Sequence, residues 1–364
     1  MSWLLVFLGF CLLIMLHEAG HYVAAKATGM RVERFFLFFG PTIWSFKRGE
    51  TEYGVKSIPV GGYVKISGMN PEEELPAGEE HRAYYRQKVW KRIVVVGAGP
   101  AVNIVLAFLI LFAVFRIGGL EEVDQSVGSI KAGMPAAKVL ESGDEIVAVD
   151  GHRYADLETE KRLEKFGKLV ASHECAGPQV QGCVAQTPVR LTIDRDGETK
   201  TILVKPEYDK EAGRALIGFS YGGQFVPIST EHAINHAADS MWTVVSKTAS
   251  VFARIFESKE REQLSSVVGI SDVGHTAVNE GWRQALLLLA LVSLSLGILN
   301  LLPILPLDGG HIFWAIVEKL RGAPVSLRVM ERASIVGFAL VLMLFFIGLS
   351  NDIGHITGDG FTNR

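Results

Sequence analysis

"CLLIMLHEAGHYVAA", residues 11–25, sets two histidines and a glutamate inside a run otherwise suited to lipid. Ionisable side chains at membrane depth are costly, so they persist where something uses them. His17-Glu18-Ala19-Gly20-His21 has the form H-E-x-x-H. On a helix, positions i and i+4 share a face, so both imidazoles reach one cation with Glu18 beside them. Two histidines and a carboxylate suit zinc, with a fourth position left for water. Zinc brings the pKa of that water to about 7, and Glu18 can take the proton and pass it to a leaving amine. A polar cluster at a helix end is the bland alternative.

The surrounding composition supports a membrane setting. Of 364 residues, 49% are hydrophobic, and the mean hydropathy is +0.27. The apolar residues gather in four blocks, at about 3–25, 93–117, 285–305 and 334–349. Each approaches the roughly 20 residues that span a bilayer as a helix. The first block lacks a basic leader and ends in "HEAGH" rather than a small-residue cleavage site, so it reads as a span and not a signal peptide. A net charge of −3 and no basic tail exclude an electrostatic footprint for nucleic acid. Three cysteines without a CxxC argue against a thiolate metal site. Cys175 and Cys183 are close enough to pair, and two free thiols are equally open.

Charge sets the expected orientation. Residues 26–92 hold 12 lysines and arginines, and Lys319, Arg321, Arg328 and Arg332 lie between the third and fourth blocks. "MSW" has none, and "GGLEEVDQSVGS" after the second block is acidic. The positive-inside rule therefore puts both termini and the 118–283 region outside the cytoplasm. That region begins with short β-rich runs over 126–206, with Val189, Leu191 and Ile193 alternating and "RDGE" as a hairpin turn. From 230 an amphipathic helix is expected, capped by Ser229 or Thr230, lying on the membrane or against the spans. Between the first two spans, strand-like runs flank Pro59-Val60-Gly61-Gly62 and suggest a hairpin there. "RFFLFFGPTIW" before it is apolar enough to dip into the bilayer, and an exposed strand edge could pair with an extended peptide.

A third zinc ligand is expected at Asp308 in "NLLPILPLDGGH", level with the histidines by the topology above. Pro303 and Pro306 break the helix before it, and Gly309 and Gly310 permit close backbone approach. A capping aspartate is the alternative. Asn103 in "GPAVN" and Asn300 could each bind a substrate backbone or the tetrahedral oxyanion, or act as interhelical packing contacts. His311 is one turn past Asp308; His232, His236, His275 and His355 have no companion spacing.

These motifs resemble the site-2 intramembrane metalloproteases, in their PDZ-containing, RseP-like branch. "HEAGH", "GPAVN" and "NLLPILPLDGGH" look like the family's three span motifs, "VERFFLFFGPTIW" with "IPVGGYVKISG" its membrane-associated β region, and "GSIKAGMPAAKVLESGDEIVAVDG" a PDZ core. The resemblance implies a polytopic α-helical membrane protein of about four transmembrane helices, with a membrane-associated β-hairpin and one extracytoplasmic α+β PDZ domain. Its expected parts are 1–25, the β region 26–92, 93–117, the PDZ domain 118–229, a helix and connection 230–283, 284–306, the motif and loop 307–333, and 334–364. It implies one Zn2+ held by His17, His21 and Asp308, with Glu18 as base and Asn103 and Asn300 assisting. Tyr63, Val64, Lys65 and Ile66 would pair with the substrate. The implied reaction is cleavage of transmembrane segments, such as anti-sigma factors or remnant signal peptides, in the bacterial inner membrane after an upstream site-1-type protease. Two departures stand out: 118–229 has room for one PDZ module rather than two, and "SSVVGISDVG" lacks the family's proline-bearing turn. A membrane-anchored PDZ scaffold with a structural zinc, and a zinc hydrolase acting on soluble peptides, are the competing readings.

Overall fold

The computed structural model describes residues 2–70, 73–75, 78–210, 212–254 and 267–357. The connecting stretch 255–266 and the tail 358–364 lie outside the described residues. The chain divides into two compact units, 1–116 with 229–364, and 117–228.

Helix α1 (Ser2–Ala27) is apolar on every side from Trp3 to Leu16, ahead of "HEAGH". Leu4, Leu5, Leu8 and Leu12 are exposed, as a lipid-facing helix requires. It stops at Gly29, whose φ of +82° suits a left-handed C-cap. Strands β1 (Val32–Arg48) and β2 (Thr51–Ile66) follow. The reversal between them falls at Gly49-Glu50, with Arg48 opposite Thr51, and not at 59–62. Gly49 has a φ of +64°, which the first position of a two-residue hairpin loop accepts. Through 59–62 the chain only bends, at Gly61 (φ +71°). Both strands bend so far that Phe36 lies opposite Gly54 and also opposite Tyr63. The first half of β1 is thus central, and 62–66 has one neighbour and one free edge among the described residues.

Helix α2 (Val89–Gly118) carries Pro100 in its interior, a break in the hydrogen-bond ladder that membrane helices tolerate when packed. In this same unit lie α4 (Thr230–Ala253), α5 (Val267–Glu280), α6 (Trp282–Asn300), α7 (Asp308–Arg321) and α8 (Leu327–Thr357). Ser229, not Thr230, caps α4: its Oγ accepts the His232 N–H at 3.2 Å. Four helices among the described residues are long and apolar enough to cross a membrane: α1, α2, α6 and α8. The third ends at Asn300, five residues before the expected 305, because a tight turn over 301–307 precedes α7. Asp308 therefore opens a separate helix instead of closing the span. In that turn a Cβ on Gly309 would strike the Leu301 carbonyl, and one on Gly310 would lie 2.5 Å from the Leu305 nitrogen. The fourth span exceeds the expected 334–349 at both ends.

The second unit holds β3 (Leu120–Ile130), β4 (Glu145–Val149), α3 (Thr159–Ala171), β5 (Val189–Arg195), β6 (Glu198–Val204), β7 (Glu207–Asp209), β8 (Arg214–Leu216) and β9 (Phe219–Val226). The large sheet runs β6-β5-β4-β3-β9, covered by α3, the build expected of a PDZ module. Val189, Leu191 and Ile193 point into one core with Val127, Ile146, Phe166 and Ile217. Asp196 and Gly197, at φ +56° and +80°, make the tight turn between β5 and β6. Cys175 and Cys183 are disulfide-bonded.

Arg195 at the end of β5 grips buried Asp144 with two prongs, Nε to Oδ1 at 2.6 Å and Nη2 to Oδ2 at 2.8 Å. That guanidinium holds the Asp144 carboxyl below its ordinary range. Charge-assisted hydrogen bonds of this kind contribute about 1.5–3 kcal/mol each. Asp144→Asn is expected to lower the stability of this unit by about 2 kcal/mol, read as faster hydrogen exchange at the β4 and β5 amides of the full chain. Unchanged exchange there would contradict the assignment.

Candidate metal centre

His17 and His21 lie one turn apart on α1, where Gly20 permits a close crossing with α2. A Cβ at Gly20 would fall 2.6 Å from the Ala98 carbonyl oxygen. Gly99 then passes directly beneath both imidazoles; a Cβ there would strike His21 Nε2 and lie 2.9 Å from His17 Nε2. The carbonyl of Val95, one turn earlier on α2, is 2.9 Å from His21 Nδ1. A carbonyl can only accept, so His21 carries its proton on Nδ1 and presents the Nε2 lone pair inward.

Asp308 completes the group from the first turn of α7, where the helix macrodipole favours a carboxylate. Its Oδ2 is 3.2 Å from His17 Nε2 and 3.3 Å from His21 Nε2, and the two Nε2 atoms are 3.3 Å apart. Three atoms able to ligate a cation thus converge in a largely buried place. Tetrahedral zinc bonds of about 2.0–2.1 Å subtend edges of about 3.3–3.4 Å. The triangle fits zinc, and three protein ligands leave the fourth position open, unlike a closed structural site.

The open side faces a cavity of about 430 Å³ lined by His17, Glu18, His21, Asp308, Asn300 and His311, and across from them by Gly62, Tyr63, Val64 and Ile66. The Glu18 carboxylate meets the Val64 backbone N–H, and a Cβ on Gly62 would crowd Glu18 Cγ at 3.1 Å. The residues expected from sequence divide here. His17, Glu18, His21, Asp308, Asn300, Tyr63, Val64 and Ile66 come together. Lys65 does not line the cavity and is paired with Glu33 and Glu73. Asn103 does not line the cavity. It is fully buried on α2, where its backbone carbonyl accepts the Ser293 hydroxyl at 2.9 Å. Gly99, the Val95 carbonyl and Gly62 were not singled out in the sequence, although "GAGP" and "VGG" mark where backbone must come close.

The β sheet is fastened to α1 by Glu50 in its turn. Arg82 holds this carboxylate with two bonds, at 2.7 and 2.8 Å, and Lys26 of α1 also grips it.

The geometry defines a class: a zinc-dependent H-E-x-x-H metallopeptidase set among membrane-spanning helices. The profile of peptidase family M50 matches residues 5–344, and the chain belongs to that family. It is 32% identical to zinc metalloprotease Rip1 of Mycobacterium tuberculosis, over 94% of this chain and 92% of the relative. Zinc metalloprotease Rip1 of Mycolicibacterium smegmatis is 30% identical over the same shares. A solved PDZ domain, from the SdrC-like protein of Listeria monocytogenes, aligns with 28% of this chain and 90% of that one, at 23% identity and a TM-score of 0.21.

Two tests follow from the geometry. Gly99→Ala should weaken zinc affinity by roughly 10–100-fold, the scale for disturbed ligand orientation, as read by chelator competition; full affinity would show that the imidazoles are free to move. The Arg82 guanidinium, helped by Lys26, lowers the Glu50 carboxyl to about 2. Because the folded value lies below the unfolded one of about 4.3, this anchor contributes fully above that pH and is lost as pH falls toward 2. Protease nicking of the β1–β2 sheet should rise over that window, and in Glu50→Gln the rise should be absent.

Proposed function

We propose that the chain holds one zinc ion through His17, His21 and Asp308 and hydrolyses peptide bonds within the transmembrane segments of single-span proteins. The observation that carries this reading is the open-sided ligand triangle, which shares its cavity with Glu18 and with a free strand edge. When bound, zinc supplies a Lewis acid that makes water acidic near neutral pH and polarises the scissile carbonyl. Glu18, adjacent to His17, takes the proton from the attacking water and delivers it to the leaving amine. Asn300 offers its side-chain amide to the carbonyl oxygen as negative charge develops there.

A transmembrane helix keeps its amide groups in internal hydrogen bonds, and each one left unsatisfied in hydrocarbon costs several kcal/mol. Tyr63, Val64 and Ile66 on the free edge replace those bonds as the substrate unwinds, with Lys65 holding the strand through Glu33 and Glu73. Gly62 keeps the strand close enough to Glu18 for the paired peptide to lie beside the base. The charge distribution supports a site toward the cytoplasmic side of a bacterial inner membrane, with both termini and the 118–283 region outside. Suitable substrates are anti-sigma factors or remnant signal peptides already shortened by an upstream protease.

Glu18→Gln separates this reading from a PDZ scaffold with structural zinc. In liposomes with a single-span substrate, zinc content should stay at the wild-type level while cleavage falls by about 10²–10⁴-fold, the usual worth of a general base. Cleavage at the wild-type rate would remove Glu18 from the chemistry.

A further inference from the structure

The metal cavity has a neighbour. A second cavity, of about 250 Å³ against about 430 Å³ for the first, adjoins it, and Met69 and His311 line both. Along the free edge, Tyr63, Val64 and Ile66 line the metal cavity, and the chain running on from them reaches Met69 at the shared wall. Strand β2 ends at Ile66, and Gly68, at φ +73°, turns the backbone just before Met69. The edge that could pair with a peptide therefore stops where the second cavity begins. His311 stands at this junction, one turn past Asp308 on α7. Neither of its ring nitrogens has a hydrogen-bond partner among the described residues.

The second cavity is mostly apolar, and its charges cancel. Trp314 of α7, Val325 of the connection after it, and Leu327 and Met330 of α8 line it, together with Tyr84 ahead of α2. Apart from His311, the charged groups in its lining are Arg92 and Glu318. These hold each other through two hydrogen bonds, at 2.6 and 3.0 Å. A guanidinium and a carboxylate joined in this way leave no net charge to draw in a charged guest. Met69 and Met330 carry unbranched thioethers, which repack around different apolar shapes. Such a lining accepts a large uncharged side chain. It penalises a carboxylate or an ammonium group, which would lose its water with nothing to replace it.

We infer that the second cavity is a specificity subsite, which takes one large apolar or aromatic side chain of the substrate on the cytoplasmic side of the scissile bond. This rests on the proteolytic reading above. A strand advances about 3.3 Å per residue, so a peptide paired beside Val64 and Ile66 arrives at Met69 about three to five residues from the cut. There the edge ends, and His311 offers a hydrogen bond to the amide group that has lost its strand partner. The side chain of that residue enters the second cavity. Two lining residues shared with the cavity of Glu18 argue for the substrate as occupant. Lys319, Arg321, Arg328 and Arg332 in the adjoining connection and the start of α8 support the cytoplasmic side.

The test uses the full chain in liposomes with Cys11→Ala. The probe is a model protein with one leucine–alanine span of about 20 residues, broken at its centre by Asn-Pro, with the cut bond located by mass spectrometry. Alanine and phenylalanine are compared at each position on the cytoplasmic side of the cut. At one position, about three to five residues away, phenylalanine should raise kcat/KM about tenfold, the usual worth of filling an apolar pocket. In Val325→Trp that ratio should fall to about one while zinc content stays full. In the uncut complex with Glu18→Gln, Val325→Cys should crosslink to a cysteine at the same probe position, and Leu320→Cys, on the exposed face of α7, should not. No preferred position, a preference that survives Val325→Trp, or no crosslink from Val325→Cys overturns the proposal; so does a lipid retained there that no probe displaces. Should Val325→Trp lose zinc, the crosslink decides alone. Wild-type protein that leaves every spanning probe uncut defeats the proteolytic reading instead, while the crosslink still decides occupancy of the second cavity.

Discussion

Three electron-rich atoms from two helices, His17 Nε2, His21 Nε2 and Asp308 Oδ2, are pressed to within 3.3 Å of one another in a setting walled by apolar spans. Such a donor set calls for positive charge, from a metal ion or a proton on His17, and burial strengthens that call by lowering the local dielectric. Much of the nearby backbone serves to hold it. Gly20 and Gly99 let α2 approach α1 closely, the Val95 carbonyl fixes the tautomer of His21, and the 301–307 turn re-aims the chain so that Asp308 enters at a helix start. Any of these replaced by an ordinary side chain would move a ligand atom by a fraction of an ångström, in a site whose chemistry depends on lengths of that order.

The same scarcity of water that makes the metal site costly governs its substrate. A peptide bond becomes accessible in a membrane only if the surrounding amides find new partners. The sheet supplies these in an unusual way. By bending β1 and β2 until the first half of β1 is central, it leaves 62–66 as an edge beside Glu18. Exposed edges are a hazard in water because they recruit other chains. On the proposed mechanism that recruitment becomes the function, and Gly62, with no side chain, lets the edge come close to Glu18.

Much of this was legible in the sequence because its signals were strong and local. Four apolar blocks stand out by length and composition, and "HEAGH" within one of them stands out because ionisable groups at membrane depth are costly. What escaped reading was non-local. The reversal at Gly49-Glu50 competes in the sequence with the more glycine-rich Pro59–Gly62, and only pairing with both halves of β1 decides between them. In the sequence the third span runs on through Leu301 and Leu302, since apolar residues continue while helical hydrogen bonding does not. Asn103 carried the polar signal in "GPAVN", yet Gly99, four residues earlier, touches the ligands; a missing side chain announces nothing unless its neighbours are known.

The register between α2 and α7 shows how such a site is kept in place. Arg92 of α2 and Glu318 of α7 meet fork to fork, at 2.6 and 3.0 Å, with Arg92 buried. Further along, a Cβ on Gly97 would lie 3.7 Å from Ile312 Cδ1, and beyond that Gly99 sits under the imidazoles that Asp308 reaches. The contacts descend α7 as they ascend α2, so the two helices run antiparallel with the ion pair at one end and the His17–His21–Asp308 cluster at the other. Removing two charges from water offsets most of what their attraction contributes, so such a pair adds little net stability. What it does add is direction. A leucine pair could slide by part of a turn at little cost, whereas two parallel hydrogen bonds admit one alignment. Sliding α7 by one residue would move Asp308 about 1.5 Å along the axis, enough to take its oxygen out of coordinating distance. The ion pair thus fixes the lever whose far end is Asp308, the proposed zinc ligand, which is reason enough for two charges in so apolar a place.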